Sequence, residues 1–140
     1  MERERISSYR ETQIKTASKG TLIVLLYDGL IRFIDIALEN LPVKKYDLVN
    51  ENVLKAQDIL SELILALNFE AGEISHSLFN IYTFLNSKLI EGNVKKDPKP
   101  LTFVRTMASE LREAWSKVAK KGGTPDINEM KKEGGIDIAG

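Results

Sequence analysis

His76 is the single histidine of the chain, and there is no cysteine. Those two facts leave one side chain for imidazole chemistry and none for thiolate chemistry. Glu73-Ile74-Ser75-His76 has the Glu-x-x-His spacing that puts an acid and an imidazole on one helix face, as in the di-iron sites of some bundles. Such a site needs a second pair, and no second histidine exists to supply it. The segment therefore reads as a helix-start acid beside a surface or half-buried histidine. A Ser-His-acid triad would have to use the same ring, and nothing singles out its partners. Without cysteine there is no disulfide, thiolate zinc site or thiol nucleophile. Gly122-Gly123 lacks the flanking pattern of a phosphate loop. Lys95, Lys96 and Lys99 form a small basic run. Three lysines with no interleaved aromatics are a weak nucleic-acid footprint, and they read as a solvated loop. The residues predict no enzyme, no cofactor and no bound metal.

What remains is surface for another protein. The chain has 140 residues, 43% hydrophobic and 29% charged, a balance that suits one folded domain rather than a disordered chain. Lys+Arg and Asp+Glu both number 20, so no concentrated positive field marks nucleic acid as the partner. Met1-Glu2-Arg3-Glu4-Arg5 lacks the apolar core of a secretory signal, and the absence of cysteine fits a reducing compartment. The cytoplasm is the expected location. Leu22–Leu41 is the most apolar stretch, but Asp28, Arg32 and Asp35 interrupt it. Charges at those depths are costly in a bilayer, so a buried helix is expected and membrane insertion is not.

The elements that must carry such a surface follow from periodicity. Residues 1–17 are polar, with isolated Ile6, Tyr9 and Ile14, and read as a mobile arm. Ser18 is the expected N-cap of a first helix. Leu22, Leu26, Gly29, Phe33 and Ile36 step by four and three, and Ile23, Tyr27, Leu30, Ile34, Ala37 and Leu41 do the same. Two adjacent stripes make this the most buried helix, closed at Pro42. A second helix starts near Asp47 with Val49, Val53, Ala56, Leu60, Leu63 and Leu67 in step, and Gly72 reads as its stop. A third, over 73–91, carries Ile74, Leu78, Ile81, Leu85 and Leu89, with Gly92-Asn93 ending it. Lys95–Pro100 reads as a loop. A fourth carries Leu101, Val104, Ala108, Leu111, Trp115 and Val118 and stops at Gly122-Gly123. Thr124-Pro125-Asp126 has the pattern of a helix start, which predicts a short C-terminal helix over 125–132 within a tail of 122–140. The fold class is all-α: an antiparallel up-down four-helix bundle over 18–121.

Some residues exceed what a plain bundle needs. Gly29 inside a helix costs about 1 kcal/mol against alanine, and close approach of a neighbouring helix accounts for it. Asp28 sits in an apolar run, where Arg32 four residues on can pair with it; Tyr27 beside it reads as core. The order is informative: Tyr9, then Gln13-Ile14-x-Thr16-Ala17-Ser18, then Leu22-Ile23 and Leu26-Tyr27-Asp28-Gly29 with Ile31-Arg32-Phe33. It resembles the flagellin-specific secretion chaperone family FliS. Lys55-Ala56, Glu62-Leu63, Leu67-Asn68 with Gly72, Leu78 with Ile81-Tyr82, and Leu111-Arg112 with Trp115 extend the likeness from Tyr9 to Val118. The family usually has a proline and an acid after Thr-Ala-Ser, where this chain has Lys19-Gly20.

The resemblance implies the same bundle, with the C-terminal segment of flagellin as cytoplasmic client and the export-gate protein FlhA as a further partner. A disordered client with helix potential needs apolar grooves. Ile31, Ile59, Tyr82, Phe103 and Met107, at or beyond the margins of the stripes, are the candidates for lining one, with ordinary core packing the competing reading for each, because a wide helix face can be filled internally. Tyr9 and Ile14 of the arm either cover the groove until the client displaces them or belong to a frayed terminus over 1–17. The competing reading is a dimerisation or adaptor module that uses the same broad faces for a different protein.

Overall fold

In-phase apolar stripes on four segments demand that each helix bury one face against the others. The computed structural model describes residues 19–68 and 72–120, and does so as four helices. These are α1 (Lys19–Asn40), α2 (Tyr46–Leu65), α3 (Glu73–Lys95) and α4 (Pro98–Lys120). They form a ring in which each packs on its sequence neighbours and α4 closes on α1. Contacts across the seams fix the directions. Asp28 meets Arg112 and Asp35 meets Arg105, so α1 and α4 run antiparallel. Asn50 meets Asn93 and Gln57 meets Asn86, so α2 and α3 do too. Ser18 and the regions 1–17 and 122–140, including the expected arm and C-terminal helix, lie outside the described residues.

The core takes most of the predicted stripes, while Leu22, Phe33, Ile36, Leu67, Ile74, Trp115 and Val118 of those stripes are half-buried at its margin. Tyr27, Leu30, Ile34 and Ala37 of α1, Val49, Val53, Ala56, Leu60 and Leu63 of α2, Leu78, Leu85 and Leu89 of α3, and Leu101, Val104, Ala108 and Leu111 of α4 are all buried. At about 25 cal/mol per Å², each large side chain here contributes roughly 1.5–3 kcal/mol. Packing is most extensive along α1, against α2 and α4; the two seams that flank α3 are slighter.

Two boundaries differ from expectation. Lys95–Pro100 is not a loop: α3 runs to Lys95 and α4 begins at Pro98, leaving Lys96-Asp97 between them. The prolines stand in the first turn of α4, where a missing N–H costs nothing, and Asp97 Oδ1 accepts from the Lys99 N–H at 3.0 Å as a cap. Gly92 is therefore inside α3, not at its end. A Cβ there would meet Leu101 Cδ2 at 2.7 Å, so the glycine permits the close approach of α4. Gly72 likewise does not stop α2, which ends at Leu65; it precedes α3 with φ +94°, a conformation that favours glycine. Nearby, buried Ser75 donates to the Asn68 carbonyl at 2.6 Å, tying the link to α3.

The reversals α1–α2 and α3–α4 share one device. Lys44 N–H bonds Leu41 O and Lys45 N–H bonds Asn40 O; Lys96 N–H bonds Asn93 O and Asp97 N–H bonds Gly92 O. Both are Schellman closures, with a lysine (Lys44, φ 59°; Lys96, φ 50°) in the left-handed position usually given to glycine.

Candidate partner-binding surface

Where polar side chains sit on the seams decides which seams are closed. On α1/α4, Arg105 grips both carboxylate oxygens of Asp35, at 2.6 and 3.3 Å, and Arg112 Nε bonds Asp28. Each acid raises the pKa of its guanidinium, chiefly through the hydrogen bond. Asp28 thus pairs across to α4 and not with Arg32, whose guanidinium lies 5.4 Å from the Phe33 ring centre. Among the described residues, no large apolar side chain of α1 is exposed. Its Leu22, Val24, Leu25, Ile31, Phe33, Ile36 and Leu38 are half-buried.

The two flanks of α3 are different. Asn50, Leu54 and Gln57 follow one line along α2, and Phe79, Asn86, Ile90 and Asn93 follow one line along α3. The amides bond across that seam, Gln57 Nε2 to Asn86 Oδ1 at 3.0 Å and Asn93 Nδ2 to Asn50 Oδ1 at 2.9 Å. Leu54, Phe79 and Ile90 lie between or beside them and are exposed. On the other flank, the Phe84 ring meets Phe103 of α4 edge-on, with centroids 5.8 Å apart. Phe84 is 48% exposed, and Lys88 Nζ sits 5.6 Å from its ring centre. Lys88 and Lys95 bond Glu91 beyond it and hold that carboxyl below its ordinary range. Met107, one turn along from Phe103, is half-buried against the core. Apolar surface therefore accompanies α3 on both sides.

Of the residues expected to line a groove, Phe103 and Met107 come together on the α3/α4 flank. Ile31 is half-buried on α1, away from α3's flanks. Ile59 is buried within the core. Tyr82 is 1% exposed, its hydroxyl 2.7 Å from that of Tyr27. Both phenols are held neutral by burial: Tyr82 is pushed up to about 12, and Tyr27, with Tyr82 also beside it, well above its ordinary value. A wide apolar helix face is filled internally at these positions. Tyr9 and Ile14 lie outside the described residues. Leu54, Phe79, Phe84 and Ile90 were not among the candidates, although their phase, off the buried stripes of α2 and α3, marks them.

Comparison with known proteins adds an independent line. The family model described as "Flagellar protein FliS" matches residues 2–122. A relative from Bacillus subtilis (strain 168), named flagellar secretion chaperone FliS, is 32% identical over 109 residues, covering 78% of this chain and 81% of the relative. One of the same name from Vibrio cholerae serotype O1 is 31% identical, over 77% of this chain and 80% of its own. Another, from Campylobacter jejuni, is 29% identical, with 80% and 88% covered. With a match over nearly its whole length and relatives of this similarity, the chain belongs to the FliS family of flagellar proteins.

Proposed function

We propose that this protein is a flagellar export chaperone whose client is the C-terminal segment of flagellin, held in the cytoplasm so that subunits do not polymerise early and then handed to the export apparatus, with FlhA as the receiving partner. The observation that carries the reading is the pair of apolar flanks along α3, Leu54, Phe79 and Ile90 on one side and Phe84, Phe103 and Met107 on the other. An amphipathic client helix lays apolar side chains at three- and four-residue spacing into such a seam. Ordering a disordered segment costs conformational entropy, so several anchors are needed, each worth roughly 1.5–3 kcal/mol when fully buried. Two flanks supply more anchors than one. The amide pairs beside Leu54 and Ile90 add polar groups that can exchange partners with a client backbone. Tyr9 and Ile14, as cover of the empty groove, belong to the same proposal.

Light scattering of the full chain, alone and with the C-terminal segment of flagellin from the same cell, tests this. The reading predicts a complex of one chain with one segment. A dimer that ignores the segment would instead favour the dimerisation module.

A further inference from the structure

The reversals that close α1–α2 and α3–α4 lie side by side at one end of the bundle, since Lys96 Nζ sits 5.7 Å from the Tyr46 ring centre. Together, residues 42–48 and 94–99 carry five lysines (44, 45, 95, 96 and 99) against Asp47 and Asp97. The chain as a whole has a formal net charge of zero, so this is a local concentration of positive charge. Asp97 is engaged as the α4 cap, and Glu91, the nearest further acid on α3, is bonded by Lys88 and Lys95. Lys44, Lys45 and Lys99 have no carboxylate within ion-pair distance among the described residues. Between the charges, Val43 is 61% and Val94 76% exposed, and Tyr46 is exposed as well.

The same tips hold the two left-handed non-glycine residues found among the described ones, and both are lysines. Glycine would relieve each closure and remove a charge. Strain retained at paired positions that share one chemistry points to use of that chemistry.

We propose that this end of the bundle docks on an anionic phospholipid surface. All five cations are lysines, compact charges on flexible stems suited to a diffuse field of headgroups. The arginines of the described chain (32, 105 and 112) stand instead on α1 and α4, and two of them hold carboxylates. A recognition site for an acidic peptide would gain from arginine forks and an enclosing groove; this is an outward tip of two turns. Valines and a tyrosine amid lysines match the interfacial zone of a bilayer, where stems lie in the apolar boundary and ammonium heads reach the phosphates. The proposal stands whether or not flagellin is the client.

The test is flotation of the full chain with vesicles of equal parts phosphatidylglycerol and phosphatidylcholine, and with phosphatidylcholine alone. The wild type floats with the anionic vesicles, stays behind with the neutral ones, and is released at about 1 M salt. The variant Lys44→Glu/Lys45→Glu/Lys96→Glu/Lys99→Glu, with its helical circular dichroism retained, partitions at least about tenfold less. The Lys→Gln set at the same positions gives a smaller loss, and it replaces the Glu set should that fail to fold. Lys19→Glu/Lys55→Glu, away from the tips, leaves flotation unchanged. No flotation with anionic vesicles, or flotation that survives the tip substitutions, overturns the proposal. Capture by poly-glutamate through the same lysines, without vesicle binding, also overturns it and assigns the tip to an acidic protein.

Discussion

At the scale of single residues, two positions show how little room the core leaves. Gly92 faces Leu101 across α3/α4 at a distance no Cβ tolerates. Gly92→Ala should force α4 outward and lower stability by about 1–3 kcal/mol, read as a shift in the denaturant midpoint. Because Phe84 and Phe103 meet on the same seam, the change should also weaken client binding. The second position is the buried phenol pair. Tyr82 ionises at about 12 in the fold, against about 10 in an unfolded chain, and Tyr27 is raised as well. A folded-state pKa raised above the unfolded value means stability present below about pH 10 and lost as pH rises toward 12. Denaturation curves from about pH 9 to about pH 12 should therefore show a steeper loss for the wild type than for Tyr27→Phe/Tyr82→Phe, with other groups titrating alike in both.

At the scale of elements, periodicity located all four helices, because in each the buried residues recur at three and four. The ends were harder to read. Lys95–Pro100 combines charge with two prolines and looks like a loop, yet proline in a first turn is compatible with a helix, and Asp97 caps it. Gly72 and Gly92 announce a constraint without saying which: one needs a positive φ before α3, the other a close neighbour within it. For the surface, Phe103 and Met107 were legible as apolar residues at the margin of a stripe. Ile59 and Tyr82 occupy similar positions but turn inward: Ile59 joins the buried core, and Tyr27 of α1 satisfies the Tyr82 hydroxyl. Only the packing partner distinguishes these cases, and one helix does not name its partner. The closures make a prediction of their own. Lys44→Gly and Lys96→Gly should each raise stability by about 0.5–1 kcal/mol, checked by equilibrium unfolding, because glycine relieves the left-handed strain. The ion pairs on α1/α4 should matter less. As half-exposed contacts, Asp28–Arg112 and Asp35–Arg105 should each show a coupling of about 0.2–1 kcal/mol in a double-mutant cycle.

At the scale of the molecule, the bundle divides into an extensively packed side and a more lightly packed one. α1 is packed extensively on both sides and joined to α4 by two arginine–carboxylate contacts. α3 is held by slighter seams, with amide pairs toward α2 and an exposed aromatic pair toward α4. Native-state hydrogen exchange should accordingly show α3 amides opening at lower free energy than those of α1, with the difference shrinking when client is bound. Such a division suits the proposed role, in which the well-packed half maintains the fold while the other half adjusts to a client segment.

The central claim is that the flanks of α3 receive the client. Calorimetric titration of the C-terminal segment of flagellin into the wild type and into Phe84→Ala/Phe103→Ala tests it most directly. These side chains are half-exposed, so truncation should cost about 1–2 kcal/mol in stability or less while affinity falls by about tenfold or more. Equal affinity in the two proteins, with the variant still folded, would contradict the account.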